Sequence, residues 1–220
     1  MRQTFKQLIS LTTMFLAISP TSFSQTSKFS ISINSLTTNF NYGKSNATLQ
    51  PFKKNFTGLQ AGFSYQAGIT PVFSIVPELY FSIKGGTLKE NNPLTIGKST
   101  LRLYSIELPV LARVHCKKLY FNAGAYSGYA LSGRMKIDGY STTSASSSKL
   151  PFGKGLNDFK RFDFGALVGA GYNFTVSRTN LILDARYGYG LTNISKDVER
   201  HNRVLNISLV VSNQHRQKNK

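Results

Sequence analysis

The residues best suited to proton, metal or acyl chemistry are few and scattered. The chain of 220 residues holds three histidines, His115, His201 and His215, and a single cysteine, Cys116. None falls at a metal-ligand spacing such as HExxH, and a lone cysteine supports neither a disulfide scaffold nor a Cys-rich zinc site. One stretch has the residue types of a hydrolytic set. Ser195 could serve as nucleophile and His201 as base, with Asp197 or Glu199 to orient it. Polar residues gather in one loop by chance often enough that this set carries little weight. The glycine run from Gly165 to Gly171 lacks the strand-then-helix context of a phosphate loop. The expectation is no enzyme, no metal and no cofactor.

Charge is more informative. The chain carries 27 Lys+Arg against 9 Asp+Glu, a formal net charge of +18. Such an excess often marks nucleic-acid binding, but the N-terminus argues for export. Arg2 and Lys6 precede an apolar run from Leu8 to Ile18, and Ser22-Phe23-Ser24 offers a cleavage site, so residues 1–24 read as a secretory signal. An eleven-residue helix rises only about 16 Å and cannot anchor in a hydrocarbon core about 30 Å thick. The expected division is a signal at 1–24 and one domain at 25–220. Outside the cell the polyanions at hand are lipid phosphates and surface polysaccharide, so nucleic acid is not an expected partner.

The elements that position these residues follow from period two. Over 161–174 the even positions Phe162, Phe164, Ala166, Val168, Ala170, Tyr172 and Phe174 are apolar. The odd ones, including Arg161, Asp163, Gly165, Gly169 and Gly171, are small or charged. The same alternation marks strands at 28–35, 57–69, 72–84, 102–115, 119–132, 181–190 and 203–212. Tight turns around Thr70-Pro71, Cys116-Lys117 and Ser177-Arg178-Thr179 alternate with long polar stretches at 36–56, 85–101, 133–160 and 191–202. The fold class is therefore all-β, an eight-stranded antiparallel up-and-down transmembrane barrel. Both termini are expected on the periplasmic, short-turn rim and the long loops outside the cell.

A soluble eight-stranded barrel would show the same period with its faces reversed, and the polar stripe decides between them. Ten of its positions are glycine, among them Gly58, Gly62, Gly124, Gly165, Gly171 and Gly188. Glycine adds nothing to a solvated strand face but suits a crowded interior. Aromatic residues on the apolar stripe form two belts: Phe73, Phe121, Tyr172 and Phe174 near the short turns, and Phe81, Tyr104, Tyr129, Phe162 and Tyr189 near the loops. Pro77 and Pro109 lie inside strands 3 and 4 at similar depth, which predicts a bulge or a broken ladder between those strands.

The charges on the polar stripe come in both signs, which predicts an interior network of Glu78, Glu107, Arg113, Asp163, Asp184 and Arg186, with Lys28, Lys84 and Arg161 on the same stripe. The loop bases include Lys53, Lys54, Lys89, Lys98, Arg134 and Lys136, expected as contacts to glycolipid phosphates. Ser141 to Ser148 is low-complexity and reads as a linker-like tip.

Three segments, Ile106–Arg113, Phe162–Gly171 and Asp184–Asn193, are similar to those of the outer-membrane β-barrel domain proteins called porin-like or PorT-like. The resemblance covers nearly all of the chain after the signal. It implies an OmpA/OmpX-sized barrel in the outer membrane of a Gram-negative bacterium, inserted by the outer-membrane assembly machinery. The chain departs from such barrels in ending at Gln214–Lys220 without a terminal aromatic. An interior this narrow fills with its own side chains. The function expected is a non-enzymatic barrel displaying four long basic loops for envelope structure or surface interaction, with outer-membrane lipid and glycolipid as partners. The alternatives are an accessory barrel for secretion or outer-membrane assembly, and a lipid-modifying enzyme.

Overall fold

The computed structural model describes residues 27–139, 144–176 and 179–213. The signal segment, the turn at Ser177-Arg178, the tail 214–220 and Ser141-Thr142-Thr143 of the serine-rich stretch lie outside them. Eight strands make the wall: β1 (Lys28–Asn41), β2 (Phe56–Thr70), β3 (Phe73–Leu88), β4 (Ser99–Cys116), β5 (Leu119–Ile137), β6 (Phe162–Val176), β7 (Thr179–Gly190) and β8 (His201–Asn213). Each pairs antiparallel with the next, and β1 pairs with β8, so the sheet closes on itself. Closure leaves no edge, the condition for crossing hydrocarbon with strands. Two-residue turns at Pro71-Val72 and Lys117-Lys118 join strands on one rim. The expected architecture is the observed one.

Alternation puts Phe29, Ile31, Ile33, Phe63, Leu108, Val110, Phe164, Val168 and Ile207 on the outside, with Ile31 71% exposed. These belong in lipid. Inside, the glycine stripe has a specific partner. Tyr120 faces Gly171 across the β5–β6 ladder, Tyr126 faces Gly165, and Tyr80 faces Gly62 across β2–β3. A Cβ at Gly171 would lie 2.1 Å from the Tyr120 ring, and one at Gly165 2.4 Å from the Tyr126 ring. Each of these three tyrosines thus lies over a glycine, and two bulky side chains at such a pair would not fit.

The prolines break the ladder as expected, though not both at the same seam. Between β3 and β4 the pairing lapses where Glu78-Leu79 faces Leu108-Pro109 and resumes in unchanged register at Tyr80↔Glu107. Between β2 and β3 it lapses where Tyr65-Gln66 faces Val76-Pro77. Pro109 keeps its pairing with Tyr126 on the β5 side, and Pro77 keeps its own with Val110. A strand residue directs its N–H to one neighbour only, so each proline turns its donorless nitrogen to a different strand. A further register shift between β4 and β5 leaves Leu131 as an extra residue on β5.

The main correction concerns the loop side. β1 runs six residues beyond the expected limit at 35, β3 four beyond 84 and β5 five beyond 132. Along these extensions the apolar side chains change face. Leu36 and Phe40 point inward on β1, where Ile31 and Ile33 point outward; Leu101 and Leu103 point inward on β4, where Ile106 and Leu108 point outward. Above the bilayer the surroundings are water, and the barrel lumen becomes the dry side.

Phe40, Tyr42, Leu49, Leu88, Leu101, Leu103, Leu150, Phe159 and Ile194 form one buried cluster there, with Phe52, Phe152 and Val198 packed on it. Helical turns over 43–52 and a bridge from Phe159 to Ser195 fold the loops over the mouth as a cap. The end of the expected linker-like tip, Ser146 to Ser148, instead forms with Lys149 a short strand on Arg134–Ile137.

Phe40 is 1% exposed at the centre of this cluster. Phe40→Ala should therefore lower stability by about 3–5 kcal/mol and leave membrane insertion intact, measured by urea unfolding in micelles and by protease cutting of the outer loops.

Candidate functional site

The polar interior is built in two tiers. In the lower one Arg186 lies between two carboxylates, with Nη1 2.6 Å from Glu78 Oε2 and Nε 2.5 Å from Asp184 Oδ1. Tyr120 donates its hydroxyl to Asp184 at 2.6 Å, and Asn122 donates at 3.2 Å. Arg113 donates Nε to Asn122 at 2.8 Å and Nη1 to Gln66 at 3.0 Å, and its guanidinium sits 4.2 Å above the Tyr120 ring. Two cations and two anions balance.

The upper tier is centred on Lys84, which pairs with Glu107 and lies 3.6 Å from Asp163. Gln60, Ser82 and Ser105 donate to Glu107. Tyr126, Asn202 and Thr192 donate to Asp163 at 2.9, 2.7 and 2.9 Å. One ammonium serves two carboxylates here, and neutral donors supply the rest. Buried charges are tolerable only with such completeness. The interior holds small cavities of about 20 and 30 Å³ beside Lys84 and between the tiers, room for a water apiece.

All six interior residues expected from the sequence thus lie inside, split between tiers. Two others on that stripe do not. Lys28 is exposed, and Arg161 sits at the rim, donating to the Ala130 and Leu131 carbonyls at 2.8 and 3.1 Å. Lys28 opens β1 and Arg161 precedes the first residue of β6, so both stand at the rims of the wall, where parity no longer sets burial. Lys84, Tyr120 and Tyr126 anchor the tiers; all three sit at the polar parity of their strands, which was the available signal.

The residues of the hydrolytic set are not assembled as one. Ser195 is fully buried and donates to Asp197, while Arg200 reaches both, at 2.6 Å from Ser195 Oγ and 2.5 Å from Asp197 Oδ1. His201 instead places Nδ1 3.1 Å from the Gly190 carbonyl and stacks its ring on Tyr189. Glu199 accepts from the Lys44 backbone N–H at 2.9 Å, tying the last loop to the first. Arg200 also lies over the Tyr42 and Phe159 rings of the cap, at 5.8 and 5.5 Å. This cluster latches the cap.

The loop bases do not converge on one place. Lys54, Lys89 and Lys98 line an open groove of about 540 Å³ with Pro51 and Phe52. Lys53 is drawn into the first loop, where its ammonium donates to Asn46 at 2.9 Å. Lys98 and Lys136 share Asp138, at 3.2 and 2.8 Å. Arg134 lines a second groove of about 410 Å³ with Lys149 and Arg161.

Two outcomes follow. Lys84→Met strands Glu107 and Asp163 and should cost about 3–5 kcal/mol in urea unfolding, whereas Lys54→Met at the exposed groove should be nearly neutral. Burial works against the Asp197 carboxylate, but hydrogen bonds from Arg200 and Ser195 outweigh it and hold its pKa below the ordinary aspartate range. The latch it contributes is then complete above about pH 4 and weakens as pH falls through the depressed value. Pepsin cutting of the outer loops should rise below that pH, and Asp197→Asn should remove this pH dependence.

Solved structures with similar strand arrangements include Neisserial surface protein A, 12% identical over 85% of this chain and 99% of that one, with a TM-score of 0.44. Ail, the attachment invasion locus protein of Yersinia pestis, is 14% identical over 84% of this chain and 99% of that one, with a TM-score of 0.41. Ail in complex with the heparin analogue sucrose octasulfate gives 16%, 83%, 97% and 0.39. No curated protein sequence matches the chain. The family described as outer membrane protein beta-barrel domain matches residues 20–196, most of the sequence. With its closed wall and lipid-facing belt, the chain belongs to that family and resides in the outer membrane of a Gram-negative bacterium.

Proposed function

We propose that the protein is a closed, non-enzymatic anchor: a barrel filled by its own side chains that holds a rigid, basic extracellular platform against the envelope surface. The observation that carries this reading is the double seal of the lumen. Lys84, Glu107 and Asp163 tie three strands together across the interior, and the apolar cluster around Phe40 and Leu101 stoppers the mouth above them. A solute on this path would have to part buried ion pairs and then an apolar core. The separation of Ser195 from His201 favours a non-enzymatic role over acyl transfer at the loops.

The platform is cationic because most of the acids are used elsewhere. Glu78, Glu107, Asp163 and Asp184 face the lumen, Asp197 holds the latch, and Glu199 secures Gly43-Lys44. Lys54, Lys89 and Lys149, among others, are left to present charge outward. The chemistry such a surface suits is phosphate or sulfate on the envelope or on surface polysaccharide, held by attraction that salt screens.

Planar-bilayer recording of the purified full chain tests the closed reading: no steady ohmic current is expected, and a persistently open channel would overturn it. Proteoliposomes should also adhere to anionic vesicles at low salt and detach as ionic strength rises past physiological values, with neutral vesicles bound at neither.

A further inference from the structure

On the outer wall, just above the lipid-facing belt, three cations stand side by side. Arg102 on β4 is the direct cross-strand partner of Arg134 on β5, and Arg134 is the direct partner of Lys149 on the short strand Ser146–Lys149. All three are exposed. Directly paired residues point to the same face with Cβ atoms only about 5 Å apart, and like charges in that position destabilise a sheet. Among the described residues no carboxylate pairs with any of them. The neighbouring cations are treated differently: Lys98 and Lys136 both pair with Asp138. The ladder therefore lacks a counterion that the chain supplies a few residues away.

The ladder opens onto the groove of about 410 Å³ that Arg134 and Lys149 line with Arg161, Tyr104, Leu131 and Phe152. Arg161 is fixed in place. Its Nη1 donates to the Ala130 and Leu131 carbonyls, which the β5 bulge turns toward it, and its guanidinium covers the Phe152 ring at 4.5 Å. Arg102 is steadied over the Phe56 ring at 5.4 Å. The height matters as much as the charge. Arg102 is two residues above Tyr104 of the upper aromatic belt, about 5 Å along the barrel axis. Below Tyr104 the wall turns to Ile106 and Leu108, with Tyr129 and Phe162 alongside. A ligand here meets guanidinium forks at its head and an apolar wall beneath.

We propose that this ladder and groove form a specific binding site for a phosphorylated glycolipid of the outer leaflet, with its phosphate seated between Arg102, Arg134 and Lys149 and its acyl chains lying on the wall below. The site deepens the anchor reading and rests on it. Arginine forks match a phosphate in two-point contact, and an anion between the cations converts their mutual repulsion into attraction. The apolar wall continuous with the groove selects a membrane-embedded source of phosphate over a soluble one.

Native mass spectrometry of the full chain in detergent tests this with phosphorylated lipid A, the same lipid after phosphatase treatment, and a soluble heparin fragment. Wild type should retain a copy of phosphorylated lipid A at least tenfold more strongly than the dephosphorylated lipid. The variant Arg102→Gln/Arg134→Gln/Lys149→Gln should lose that preference, while Lys54→Gln/Lys89→Gln at the other groove keeps it. The phosphatase comparison uses unaltered protein and stands even if the triple variant misfolds, which heat-dependent gel mobility would reveal. In detergent free of lipid, Arg134→Gln should unfold at the same temperature as wild type or higher, and lipid A should raise the wild-type value only. Equal retention of both lipids, or of lipid by the folded triple variant, would overturn the site. Competition by the heparin fragment at equal concentration would overturn its assignment to a lipid. None of these results depends on whether the barrel conducts, so the two readings can fail separately.

Discussion

A strand in hydrocarbon cannot leave a backbone amide unpaired, and that one requirement sets most of this molecule. It forces the sheet to close, and closure at eight strands fixes a lumen too narrow for bulk water. Every inward side chain must then find its partner among the others. The interior meets this with compact ion clusters and with tyrosines laid over cross-strand glycines, so that Tyr120, Tyr126 and Tyr80 each bring a hydroxyl inward while Gly171, Gly165 and Gly62 make room. Glycine weakens a strand in isolation. Here it is what lets two of the three tyrosines reach Asp184 and Asp163.

The same requirement explains where prolines are tolerated. Pro77 and Pro109 each remove one donor, but toward different neighbours, so no seam of the barrel loses two bonds at the same height. A charged pair lies next to the lost bonds. Arg186 of β7 reaches Glu78 of β3 across the lumen, immediately beside both gaps. An ion pair between distant strands holds the wall where two local ladders lapse. In a low-dielectric interior such a pair does not by itself favour the fold, but it does fix which strands face each other.

Much of this was readable from the residues because the membrane imposes one rule on each face. Period two located all eight strands, and the glycine stripe identified the inward face. What escaped was the point where the rule changes. Ile33 points out and Leu36 in; Ile106 points out and Leu103 in. A search for constant parity ends a strand at that switch, although the backbone continues. The cap was hidden for the same reason, since Phe40 and Tyr42, Leu101, and Phe159 come from three segments far apart in the chain. Lys84 was visible as one charge on the stripe, but its central place depends on strands that meet only in three dimensions. Arg161 was misplaced inward because it stands one residue before β6 begins, at the rim, where the wall no longer fixes its direction.

The switch also bears on what the outer surface can do. Below it a charge on the outer face would be costly, since lysine or arginine at mid-bilayer opposes insertion by about 2–4 kcal/mol. Above it an apolar residue outside would waste burial that the lumen can provide. Only in the narrow band between can cations and greasy side chains share one face, and there Arg102 follows Tyr104 by a single strand repeat. Solvated loops have no reason to place charges in register, because water and mobile ions screen them wherever they lie. Cations aligned across three strands at that band have traded freedom of position for a fixed spacing. A repulsion built into a rigid wall is sustained when something of opposite charge occupies it. Along that band the wall faces the lipid headgroup layer, which is why the proposed counterion is a membrane phosphate and why the constraint that closes the barrel bears on its outer wall as well.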